Sequence, residues 1–136
     1  MKSEKLKVKS NPINERSVQY ALAIIRLYQE LSKKTILAQI LGKQLLRSGT
    51  SIGANVHEAQ GAQSKADFIS KISIAHKEAL ETAYWLRLIE ETKIVHSDET
   101  KYLKDENHQL VRILSSILIT SKESIKVKLK NKLNEA

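Results

Sequence analysis

Residues that form turns are scarce in this sequence, which has four Gly and one Pro among its 136 residues. Average usage would give about 9 Gly and about 7 Pro at this length. A chain with few turns must fold into a small number of long elements. The sequence is rich in helix-forming Leu, Ile, Ala, Lys and Glu, and its β-branched residues never alternate with polar residues over the length of a strand. We therefore predict an all-α fold.

Apolar periodicity divides the chain into four long helices. We predict them at about residues 15–32, 36–60, 64–93 and 97–129, with Asn14 and Thr35 as the first two N-caps. Gly53 lies inside the second helix without shifting the phase of its apolar residues, so we expect one continuous helix. Because glycine weakens a helix locally, we also expect a kink near Gly53. Short connections make neighbouring helices antiparallel, which predicts an up-down-up-down four-helix bundle over residues 13–121.

The net charge is +8, and most of it lies outside the predicted bundle. Residues 1–12 carry +3 and residues 122–136 carry +3, which leaves +2 for residues 13–121. We predict a mobile basic arm over residues 1–12, and the end of the fourth helix followed by a basic tail over residues 122–136. Such segments add non-specific affinity for nucleic acid, although tails that only aid solubility fit the same pattern.

Several chemistries are missing from the sequence. It has no Cys, which excludes disulfides and thiolate metal sites. The motif that begins His57-Glu58 fails as a zinc site because Gly61 stands where the second His is needed. We find no Gly-rich phosphate loop, so we predict a protein that is not an enzyme and has no cofactor or metal. A metal or small-ligand site that uses His57, Glu58 and His76 is the alternative.

The location follows from two further observations. Residues 1–12 lack the apolar segment of a signal peptide. No apolar run approaches the roughly 18 residues of a membrane span. We therefore expect a cytoplasmic protein that has no membrane partner.

The first and third helices carry more apolar residues than a single bundle core can bury. The first helix is apolar on two sides, and the third has a second apolar group away from its main stripe. Trp and Tyr are favoured anchors of subunit interfaces, so we predict a homo-oligomer, although a Trp lying flat on a neighbouring helix is the alternative. The candidate interface residues are Ile24, Leu27, Tyr28, Ile74, Trp85 and Leu88.

A polar row follows the second helix opposite its apolar arc. Its residues recur at steps of three or four, which places them on one face of a helix. The polar row consists of Arg47, Ser51, Asn55 and Glu58. Periodicity alone indicates the solvated side of an amphipathic helix.

The same stretch resembles a family motif. Residues 41–59 are similar to the second-helix motif of the small bacterial four-helix bundle proteins, also called 23S rRNA intervening-sequence or S23-like proteins. That motif has a basic residue and then Ser-Ile-x-x-Asn-x-x-Glu, which Arg47, Ser51, Ile52, Asn55 and Glu58 match. Residues 63–68 and 77–88 resemble two later segments, so the resemblance covers roughly residues 15–120. Many members have Pro at the position of Gly53.

The resemblance implies an antiparallel bundle that often assembles as a ring-like homopentamer. The family that the sequence resembles also includes proteins similar to the accessory protein of diversity-generating retroelements, which binds a reverse transcriptase and nucleic acid. It also implies that the polar row is a polar network at a subunit junction or a ligand surface. Most members have no established activity.

Two main hypotheses for function remain open at this point. In the first, a homo-oligomer contacts the phosphates of RNA or DNA without reading sequence. The candidate contacts are Lys43, Arg47, Arg87 and Arg112. In the second, the oligomer is an adaptor that binds another protein and has no role with nucleic acid.

Overall fold

The structure is a computed structural model that describes residues 12–135. Four helices account for nearly all of this range: α1, Pro12–Leu31; α2, Ile36–Gln60; α3, Lys65–Glu91; and α4, Ser97–Glu135. Each helix packs on its neighbour in sequence, and no strand occurs within residues 12–135. The prediction of an all-α four-helix bundle is confirmed. The predicted basic arm lies outside the described residues, apart from Pro12.

The helix starts show which cap predictions hold. Thr35 accepts a hydrogen bond from the Ala38 amide at 3.2 Å and caps α2 as predicted. The prediction for Asn14 is wrong, because α1 already begins at Pro12 and Asn14 lies inside its first turn. Proline is favoured at the first position of a helix, where its fixed φ suits the turn and its missing N–H costs nothing.

The buried face of α1 contains two polar side chains. Ser17 and Tyr20 are fully buried beside Ile24. The Tyr20 hydroxyl donates to the Leu103 carbonyl at 3.2 Å and accepts from the Asn107 amide at 3.1 Å. Burial raises the pKa of Tyr20. The contact with α4 therefore rests on a satisfied polar pair as well as on apolar packing.

This orientation of α1 corrects part of the predicted subunit interface. Ile24 is 0% exposed and Leu27 is 7% exposed, so both belong to the bundle core and cannot contact another subunit. The exposed apolar stripe of α1 is the other one, on Val18, Leu22 and Ile25, with 43%, 40% and 36% exposure. Periodicity could not separate the two sides, because the core side includes Ser17 and Tyr20.

The helix α2 is continuous through its internal glycines. A Cβ atom on Gly49 would lie 2.8 Å from Ile24 Cγ1, and one on Gly53 would lie 3.2 Å from the Ser17 carbonyl oxygen. These glycines therefore allow α1 and α2 to approach closely. The predicted apolar arc of α2 is buried as expected, at Ala38, Leu41, Leu45, Ile52, Val56 and Ala59.

The helix α4 is longer than predicted. It has 39 residues against 27 in α3, its antiparallel neighbour, and it ends at Glu135 rather than near residue 129. Ser121 is its last buried residue. At 1.5 Å per residue, the 12 additional residues correspond to roughly 18 Å of helix. The segment expected to include a basic tail is therefore helical as far as Glu135.

Candidate functional site

The polar row lies against α3. Arg47 forms ion pairs with Glu78, at 3.4 Å, and with Glu81, both on α3. At the far end of the row, Glu58 is 3.8 Å from the Lys71 ammonium. The Arg47 side chain is 48% exposed, and that of Glu58 is 57% exposed. The row is therefore a half-exposed polar contact between two helices rather than a fully solvated face.

The two central residues of the polar row bond to their own helix. The Ser51 hydroxyl donates to the Arg47 carbonyl at 2.6 Å, and the Asn55 amide donates to the Ser51 carbonyl at 2.8 Å. Both side chains bind the carbonyl one turn earlier, a pattern that satisfies a helical hydroxyl or amide without a partner helix.

A buried hydroxyl pair fixes the register of these two helices. Thr82 lies one residue after Glu81 and contacts Ser48, which follows Arg47, at 2.9 Å between the two hydroxyl oxygens. Both residues are 0% exposed. This contact and the Arg47 ion pairs bring the same turns of α2 and α3 together.

The second apolar group of α3 shares a face with the partners of Arg47. Ile74, Glu78, Glu81, Trp85 and Leu88 follow one another at steps of three or four residues, which places them along one side of the helix. Ile74 is 39% exposed, and Trp85 and Leu88 are half-buried against the core. The polar row and the apolar group therefore form one surface along the α2–α3 contact. The spacing of Glu78 and Glu81 in the sequence already places them on the same face of α3 as Ile74, Trp85 and Leu88.

Tyr28 and Trp85 differ in their surroundings. Tyr28 is half-buried on α1, where its ring lies close to Gly42. The Trp85 ring contacts Tyr84 edge-on, with 5.0 Å between ring centres. The indole N–H of Trp85 is buried and has no hydrogen-bond partner among residues 12–135. Tyr28 and Trp85, two members of the predicted interface set, are thus partly buried by contacts within the bundle.

The four candidate phosphate contacts lie on three helices. Lys43 and Arg47 are on α2, Arg87 on α3 and Arg112 on α4. Arg47 is held by its two glutamates, and Arg87 is 3.3 Å from Glu91. Lys43 and Arg112 have no ion pair within the described part of the chain and are exposed. Within the described residues, two of these four cations are thus paired with glutamates and two are not.

Two ion pairs that the sequence analysis missed hold α4 to its neighbours. Arg16 on α1 contacts Glu106 at 2.6 Å, and this hydrogen bond raises the pKa of Arg16. Lys104 contacts Glu90 on α3 at 3.0 Å, and this hydrogen bond lowers the pKa of Glu90. Each pair joins residues on different helices, so no pattern within one helix points to it.

Two properties of the described residues bear on other functions. Among residues 12–135, no group of three His, Cys, Asp or Glu side chains is placed to hold a metal ion. His57, Glu58 and His76 thus do not form such a group. None of the helices described is both long and apolar enough to cross a membrane.

Comparison with known proteins extends the motif on α2 to most of the chain. The family model described as 23S rRNA-intervening sequence protein matches residues 9–116. The chain belongs to this family. A crystal structure of a protein of unknown function from the S23 ribosomal protein family of Bacteroides thetaiotaomicron is similar to it, with 40% sequence identity and a TM-score of 0.72. That similarity covers 78% of this chain and 97% of the other. No curated protein matches the chain.

Membership in the 23S rRNA-intervening sequence protein family confirms the resemblance drawn from α2. The match ends at residue 116, before the last buried residue of α4. The extension of α4 beyond the bundle is therefore outside the part of the chain that the family model describes. The polar row lies well inside it.

Proposed function

We propose that this protein is a non-enzymatic homo-oligomer that binds nucleic acid through phosphate contacts that do not read sequence. The observation that carries the proposal is the α4 extension, which is the part of α4 after its last buried residue, residues 122–135. It bears five exposed lysines, at Lys122, Lys126, Lys128, Lys130 and Lys132. The two acids between residues 122 and 135 leave this segment with a charge of +3.

The geometry of the extension favours backbone contacts over base contacts. In an α-helix, successive residues are turned by 100°, so these lysines spread over more than half of the helix circumference. A lysine ammonium is a flexible point charge, which suits a phosphate and carries little information about a base. No carboxylate within residues 12–135 forms an ion pair with any of the five.

Assembly would strengthen a weak site. The exposed stripe of α1, on Val18, Leu22 and Ile25, is an apolar surface that a second copy of the chain can cover. Two or more extensions held in one assembly bind a long polyanion with an affinity that exceeds that of one extension. A ring of five subunits, as the family resemblance implies, is the assembly that we propose.

The test is binding of fluorescent single-stranded RNA and DNA as a function of salt. We expect the affinity to fall steeply between about 50 and about 500 mM salt. Replacing Lys126, Lys128 and Lys130 by Gln should lower the slope of log affinity against log salt by about 2, because each lysine–phosphate pair contributes roughly 0.7 to that slope. Equal retention at both salt concentrations contradicts the proposal.

A matched control separates a local effect from net charge. Replacing Lys33, Lys77 and Lys101 by Gln removes the same charge from exposed positions on the bundle itself. This variant should bind with nearly the same salt slope as the unchanged protein. Equally reduced slopes in the two variants would mean that only the overall charge matters, and the α4 extension would then have no special role.

An adaptor that binds another protein is the second candidate. The start of α2 favours it, because Ile36, Leu37 and Ile40 are 75%, 49% and 56% exposed. Such apolar exposure at one end of a bundle is typical of a protein-binding surface. Affinity capture from the source cell that returns only the protein itself contradicts this candidate.

A further inference from the structure

A shallow cleft between α3 and α4 has an unusual set of lining residues. It has a volume of about 380 Å³. One lining residue comes from α3 and the others from α4. They are His76, Val111, Arg112, Ser115, Ser116, Ile119 and Thr120. The hydrogen-bond donors that line the cleft are therefore a guanidinium, an imidazole and three hydroxyls. No carboxylate lines it. We refer to it as the Arg112 cleft.

Other clefts of this helix pair have a different character. Three lie nearer the connection between α3 and α4, and Glu90 lines all three of them. A carboxylate repels anions and neutralises nearby cations. No carboxylate lines the Arg112 cleft, so its lining suits a negatively charged group.

The donors of the Arg112 cleft are also uncommitted within the described residues. Arg16, Arg47 and Arg87 each form an ion pair with a glutamate, whereas Arg112 forms none among residues 12–135. Many helical hydroxyls in this protein donate to a carbonyl one turn earlier, as at Ser17, Ser51, Thr82 and Thr92. No hydroxyl of the cleft makes such a bond in this part of the chain.

We infer that the Arg112 cleft binds a phosphate group. A guanidinium presents a rigid fork of N–H donors that matches phosphate oxygens. The hydroxyls of Ser116 and Thr120 lie four residues apart, on the same side of α4 as Arg112. Lys122, Glu123 and Lys126 follow on the same helix, so the first turn of the α4 extension carries two positive charges and one negative charge.

This inference rests on the proposed function if the phosphate belongs to a nucleic acid, since a strand bound to the α4 extension could continue into the cleft. A nucleic-acid phosphate and a free phosphate or phosphate monoester would use the same donors, and competition between DNA and inorganic phosphate distinguishes them.

The experiment is a titration of the isotope-labelled full chain with inorganic phosphate, followed in ¹H–¹⁵N correlation spectra at constant ionic strength. We expect saturable shifts of the amide signals of His76, Ser115, Ser116 and Thr120. Arg112→Gln should weaken binding about tenfold, because it removes a charge-assisted hydrogen bond. Arg26→Gln, at an exposed arginine of α1, makes the same charge change elsewhere and should leave binding unchanged.

The inference is overturned if these signals do not move, or if the two arginine variants weaken binding equally. A second arm adds a short single-stranded DNA. Competition with phosphate for the cleft signals identifies a backbone phosphate as the ligand. Phosphate binding at the cleft without such competition supports the cleft as a site for free phosphate. In that case, DNA that still shifts the signals of residues 122–132 leaves the proposed function standing, and DNA that binds nowhere overturns the proposed function alone.

Discussion

Individual polar residues decide how α1 and α4 meet. Tyr20 and Asn107 are buried together, 3.1 Å apart, and the Tyr20 hydroxyl also reaches the Leu103 carbonyl. Tyr20→Phe keeps the ring but leaves the Asn107 amide buried without its partner. We expect the free energy of unfolding to fall by about 1–3 kcal/mol, measured by urea denaturation.

A control for this substitution is available on the same helix. Tyr28 is half-buried and makes no side-chain hydrogen bond within the described residues, so Tyr28→Phe should change the free energy of unfolding by less than about 0.5 kcal/mol. If the two variants are equally stable, the Tyr20–Asn107 contact contributes nothing specific.

The sequence could predict only half of this pair. Asn107 follows the apolar spacing of Leu103 and Leu110, which places it on the core side of α4. Its partner is 87 residues away, and periodicity within one helix says nothing about which side chain lies opposite on another. The Arg47 ion pairs with α3 were missed for the same reason, although the polar row itself was evident.

At the scale of helices, close packing of α1 on α2 depends on glycine. Gly49→Ala would place Cβ 2.8 Å from Cγ1 of Ile24, whose branched side chain has little freedom to move. Overpacking of this kind costs about 1–3 kcal/mol, which exceeds the gain of up to about 1 kcal/mol from better helix propensity. We expect a lower melting temperature by circular dichroism.

Gly61→Ala is the matched comparison. Its Cβ would meet only the Glu58 carbonyl oxygen, at an ordinary 3.8 Å, and the Gly61 φ of −98° is open to any residue. This variant should melt close to the unchanged protein. A Gly49→Ala variant that melts as high as Gly61→Ala would show that Ile24 moves aside at little cost.

The ends of helices were harder to predict than their faces. The apolar arc of α2 fixes its buried face through six core residues, and Thr35 marks its start. The end of α4 has no such signal, because residues 122–135 contain neither Gly nor Pro and are dominated by helix formers. The buried part of α4 ends at Ser121, but the helix continues to Glu135. The pattern of buried residues therefore does not show where the helix ends.

For the whole molecule, the question is which surface joins one subunit to another. The interface set predicted from sequence mixed core residues with surface residues, because α1 is apolar on two sides. Ile24 and Leu27 are in the core, whereas Val18, Leu22 and Ile25 are partly exposed in a stripe. The stripe and the half-exposed α2–α3 contact are two of the surfaces that a second copy can use.

Leu22→Glu tests the α1 stripe without disturbing the core, because Leu22 is already 40% exposed. We expect the unchanged protein to exceed the 15.4 kDa of one chain in light scattering at micromolar concentration. The variant should shift toward that mass, since a buried carboxylate without a partner strongly disfavours the interface. Val127→Glu, at a 58% exposed site on the α4 extension, is the control and should keep the assembly. An unchanged protein that already scatters as a single chain would remove self-assembly from the proposed function. A Leu22→Glu variant that stays assembled would exclude the α1 stripe as the interface.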